Sequence, residues 1–89
     1  MKAIITVIGS DRVGIIGEIC SLLATMQVNI VDISQTVMKE YFAMIMLVEL
    51  DGMKGAFAEF ADAMRRAGSD VGVDIRVMHE DIFNSMHII

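Results

Sequence analysis

Ala3-Ile4-Ile5-Thr6-Val7-Ile8-Gly9-Ser10-Asp11-Arg12-Val13-Gly14-Ile15-Ile16 holds three structural instructions in one stretch. Ala3 to Ile8 is rich in β-branched residues and apolar at both alternating sets of positions, which predicts a strand covered on both faces. Gly9 to Gly14 is a polar turn. Beyond it Ile15, Ile16, Ile19, Leu22, Leu23 and Met26 fall on one helical stripe. The stretch therefore predicts a strand, a tight turn and a helix that folds back onto the strand.

The same reading extends toward the C-terminus. Between Val28 and Met38, Val31, Ile33 and Val37 line one side and Ser34 and Thr36 the other, the pattern of a partly exposed strand. Lys39-Glu40 marks a turn. Tyr41 to Leu50 has Ala43, Ile45 and Leu47 on one face and Phe42, Met44, Met46, Val48 and Leu50 on the other, so both faces need cover. After Asp51-Gly52, helical spacing of Phe57, Phe60, Ala61, Met64 and Ala67 predicts a second helix, with Gly68 as its stop. Val73, Ile75 and Val77 alternate with Asp74 and Arg76 in a fourth strand ending near His79.

The order βαββαβ predicts an α+β, ferredoxin-like sandwich. Right-handed crossovers place both helices on one face of a four-stranded antiparallel sheet. The chain reads as one domain over residues 1–89, with a core of about residues 1–79 and a C-terminal extension over 80–89. In that extension Ile82, Phe83, Met86 and Ile89 are spaced as one amphipathic helical piece. The second sheet face has no helical cover, so a second subunit and the tail acting together are expected to cover it, and Phe42, Met44 and Met46, with Phe83 and Met86 of the tail, are assigned to that interface.

Composition narrows the function classes. Seven basic and 12 acidic residues leave a net charge of −5, without the clustered Lys and Arg that phosphate binding requires, so no nucleic-acid partner is expected. One cysteine allows no intrachain disulfide and no Cys-rich zinc site, which fits a cytoplasmic protein. No run approaches the roughly 18 apolar residues of a membrane span, and Ala3 to Ile8 is too short for an export signal. A core this small gains from oligomerisation, and a homodimer is expected.

The turn offers a physical reason for ligand binding. The first amides of a helix lack internal partners and carry the positive end of its dipole, so an anionic group docks there, and Gly14 permits close approach. The alternative is a plain strand-to-helix turn in which Asp11 or Ser10 only caps the helix. It is not a phosphate loop, since Gly9 and Gly14 are not followed by Lys-Ser/Thr.

The loop Asp11-Arg12-Val13-Gly14-Ile15-Ile16, the Val28-Asn29-Ile30 segment opening the second strand and the βαββαβ order together resemble the ACT domain family, small regulatory modules that commonly bind amino acids. The tail resembles that of small ACT proteins akin to the glycine-cleavage-repressor group. The resemblance implies an amino-acid effector held between two copies, against the first loop of one and the start of the second strand of the other. Asp11, Arg12, Gly14, Ile15, Asn29 and Ile30 occupy those positions. It implies helix-start amides at Gly14 and Ile15 on the effector carboxylate, Asp11 facing its ammonium and the Asn29 amide bridging polar groups. The function it implies is a non-catalytic sensor signalling to a partner protein; a ligand-free dimerisation or adaptor domain explains the apolar strands equally well.

Other candidates point away from chemistry. Asn29 equally suits a left-handed residue after a helix, and Arg12 a solvated charge. Cys20 shares a stripe with Ile16 and Leu23 and reads as a buried thiol. His79 and His87 stand eight positions apart, not at a recognised ligand spacing, so neither metal nor cofactor is expected. No Ser-His-Asp or Cys-His set can be assembled, and a hydrolase on this fold would need more than Arg12 and Asn29. The nine methionines fill core, with Met44, Met46 and Met86 also suited to an adaptable interface.

Overall fold

A computed structural model describes residues 1–10, 14–53 and 55–86. The elements are β1 (Lys2–Ser10), α1 (Ile15–Thr25), β2 (Asn29–Met38), β3 (Tyr41–Glu49), α2 (Phe57–Val71), β4 (Val73–His79) and α3 (Glu80–Met86). The strands form one antiparallel sheet in the order β2-β3-β1-β4, the expected ferredoxin-like arrangement.

Period-two alternation puts Ala3, Ile5 and Val7 of β1 on one face, opposite Val48, Met46 and Met44 of β3 and beside Val77 and Ile75 of β4. The stripes of α1 (Ile15, Ile19, Leu23) and α2 (Phe60, Met64) close over that face, so the core lies between one sheet face and two helices. Full burial of each such side chain is worth about 1.5–3 kcal/mol against leaving it in water.

This register corrects the interface assignment of Phe42, Met44 and Met46. They are 3%, 1% and 0% exposed within the single chain, because their partners on β1 are the helix-facing residues Gly9, Val7 and Ile5. The outward set of β3 is Ala43, Ile45 and Leu47, with Ile45 half exposed. Phe83 and Met86 do lie on the outward side, where α3 folds back beside Ile4, Thr6 and Met78.

Three local expectations also change. Gly68 does not stop α2; it sits buried inside the helix where a Cβ would lie 2.8 Å from Ile75 Cγ1 and from the Val73 carbonyl oxygen, so its role is close packing on β4. The helix ends at Gly72, whose φ of 82° is left-handed. On β2 a register shift between Ile30 and Asp32 makes Val31 a bulge residue, and Ile33 and Val37 share the face of Met46 and Phe42. Cys20 is only half-buried, since the centre of the α1 stripe is Ile15-Ile19-Leu23.

Candidate functional site

Gly14 is the N-cap of α1 and has φ 93°. A Cβ there would meet no atom within 4 Å, so glycine is required by backbone conformation rather than by space. The Glu18 amide donates to the Gly14 carbonyl at 2.9 Å, which starts the helical ladder and leaves the amides of Ile15, Ile16 and Gly17 with no intrahelical acceptor. The Ile15 side chain is buried in the core, so this residue offers only its backbone to a ligand. Asp11 and Arg12 lie outside the described residues.

At the other end of α1 the chain turns through Gln27, whose φ of 61° is the left-handed one. Asn29 is therefore released from that duty and opens β2 in extended backbone, opposite Glu49. Its side chain is exposed and its amide makes no hydrogen bond among the described residues. Ile30 is half-buried against the core, opposite Val48.

These two halves do not meet within one chain. Ser10, at the loop end of β1, and Met38, at the end of β2, are both opposite Tyr41, whereas Asn29 and Lys2 are both opposite Glu49. Tyr41 and Glu49 are the two ends of β3, about 27 Å apart at a strand's rise per residue. Gly14 thus belongs to one end of the sheet and Asn29 to the other.

An ion cluster unforeseen in the sequence stands beside Asn29. The Met1 ammonium donates to Glu49 Oε1 at 2.9 Å and to Asp51, and Glu49 Oε1 also accepts from the Leu50 amide at 3.0 Å. Hydrogen bonds to Asp51 and then Glu49 raise the amine pKa, and the ammonium lowers that of Asp51. The pair holds through neutral pH and lets go as pH rises through the raised amine pKa or falls through the lowered carboxyl one. Its partners are far apart in the chain, so no local pattern reveals them.

Elsewhere, His79 Nδ1 accepts from the Asp81 amide at 3.0 Å while its ring meets Phe57 edge-on, and it serves the start of α3. His87 lies outside the described residues. Among the described residues no three His, Cys, Asp or Glu side chains are grouped to hold a metal, and no helix is long and apolar enough to cross a membrane.

Known proteins add a consistent result. The chain is 52% identical over 87 residues to the UPF0237 protein of Clostridium acetobutylicum, covering 98% of each. Its fold matches an ACT domain protein from Streptococcus pneumoniae with a TM-score of 0.84 and 39% identity, again over 98% of both chains. A glycine-cleavage-repressor-like protein shares the fold, at TM-score 0.70 and 21% identity over 89% of this chain and 47% of that one. The sequence profile described as ACT domain matches residues 2–78, and with the βαββαβ sheet and the Gly14 turn in place the chain belongs to the ACT domain family.

Proposed function

We propose that this chain is a non-catalytic cytoplasmic sensor that binds an amino acid between two copies of itself and signals to a partner protein. The observation that carries this reading is the separation of Gly14 and Asn29 to opposite ends of the sheet. An effector no longer than a few ångströms can touch both only if a second copy supplies the other end. The edge strand β2 suits that pairing: it is solvent-exposed almost throughout, and a two-fold axis across it sets the Asn29 end of one copy beside the Met38 end of the other.

In such a pair the free amides at the start of α1, and Arg12, receive the effector carboxylate, Asp11 faces its ammonium and the Asn29 amide spans the remaining polar groups. Ile15 and Ile30 contribute backbone and flank. Binding to the paired state alone shifts the population toward it, which is the signal a partner protein reads.

A panel of the twenty amino acids tests the reading by thermal shift and calorimetry, with light scattering for mass. Saturation at 100 times Kd stabilises a native-state site by about 2.7 kcal/mol. One selective hit, a dimeric mass, and loss of the shift in both Gly14→Val and Asn29→Ala are expected. A dimer with a flat panel assigns the chain to ligand-free dimerisation instead, and a monomer at micromolar concentration removes the two-copy site.

A further inference from the structure

We propose a second ligand site, on the sheet face away from α1 and α2, that takes a small carboxylate with a compact apolar body. α3 folds back over this face and leaves a cleft of about 380 Å³ between itself and the sheet. The floor is two directly opposed cross-strand pairs, Ile4 with Met78 and Thr6 with Arg76. Phe83 and Met86 of α3 form the roof.

The cleft has a direction. Ile4 and Met78 make one end of the floor apolar, whereas Thr6 and Arg76, whose Cβ atoms stand about 5 Å apart as opposed residues, lie at the other, where the largely exposed Arg76 side chain stands at the mouth. Among the described residues Arg76 is the one charged side chain lining it. Its Nε donates to Asp74 Oδ2 at 3.0 Å, which leaves both terminal nitrogens for a ligand, and the Thr6 hydroxyl makes no hydrogen bond among the described residues. A carboxylate accepting from an Arg76 Nη and from Thr6 Oγ1 uses both, with its apolar body on Ile4, Met78 and Phe83.

Charge and size set the class. One guanidinium already shared with Asp74, in a chain of net charge −5, suits a monoanion and disfavours a phosphate dianion. The volume stands near the lower limit of small-molecule sites, enough for a body of about ten heavy atoms. Among the described residues lining the cleft there is no carboxylate to receive an ammonium, which favours a simple acid over an amino acid. The proposal stands apart from the two-copy effector site, whose Gly14 and Asn29 line no part of this cleft.

The probe is 3-phenylpropionate, titrated into the full chain and followed by methyl NMR, with 3-phenylpropanol as its uncharged counterpart. Saturable shifts at Ile4, Met78 and Met86 are expected for the acid, about tenfold weaker in Arg76→Gln and unchanged in the surface control Arg66→Gln. The alcohol is expected to bind about tenfold more weakly than the acid. Equal binding of acid and alcohol, or an Arg76→Gln chain that binds like wild type, overturns the carboxylate assignment. Shifts at Ile15 and Ile30 instead place the probe in the effector site and overturn it as well. No shifts up to the probe's solubility limit, with Phe83→Ala halving the mass by light scattering, show that a second copy fills the cleft.

Discussion

Phe42, Met44, Met46 and Val48 of β3 point into the helices, while Ala43, Ile45 and Leu47 point away from them, and both sets are apolar. The helix-facing set is closed off by α1 and α2; the outward set shares its surface with Ile8 and Tyr41, both more than half exposed. A strand that is apolar on both sides does not declare which side is the core. That choice is made by its neighbour: β1 commits Ala3, Ile5 and Val7 to the helices, and the register forces Met46 and Met44 to follow.

The sharpest way to break this comparison is one truncation on each face of β3. Met46→Ala empties a filled site and is expected to cost about 2–5 kcal/mol in urea unfolding. A cost below about 1 kcal/mol would mean that the helices do not close over that face. Gly68→Ala tests the seam between α2 and β4: a Cβ driven against Ile75 and the Val73 carbonyl is expected to cost about 1–3 kcal/mol. An alanine tolerated there would show that α2 can lift off the strand without loss.

Smaller effects refine the contrast. Lys39, in the β2–β3 turn, holds a left-handed φ of 57°, so Lys39→Gly is expected to raise stability by about 0.5–1 kcal/mol. Ile45→Thr on the outward face keeps a β-branched side chain and is expected to move the unfolding free energy by less than about 0.5 kcal/mol. A loss that grows with protein concentration would instead reveal that a second copy covers Ile45.

The order of elements was legible because each announces itself locally: the alternation of Val73 to Val77, the stripe of α1 and the Lys39-Glu40 turn need no tertiary knowledge. The Gly14 turn and Asn29 were legible too, as residue types whose spacing suits a helix start and a strand start. What escaped depends on contacts between distant segments. Gly68 resembles a helix stop in sequence and becomes a packing residue only when β4 lies against it. The Val31 bulge is invisible until β2 pairs with β3, and the separation of Gly14 from Asn29 is a property of the sheet rather than of either motif. Thr6 and Arg76 look like ordinary outward-facing residues until α3 folds back to share a cleft with them.

The free edge of β2 has a consequence for handling the protein. Wherever a second copy does not occupy it, the outer edge of this ten-residue strand, paired with β3 on its other side and carrying exposed Val31, Ile33, Val37 and Met38 with no proline, is a template for runaway strand addition between copies. Two features restrain it: the bulge at Val31 interrupts the flat hydrogen-bonding row, and Asp32 beside it sets a charge within the apolar run, as a gatekeeper does. Asp32→Val removes both the charge and the carboxylate that accepts the Ile33 amide at 2.9 Å beside the bulge, so it should turn a clear concentrated solution into one that seeds fibrils, with the β2 segment at their centre.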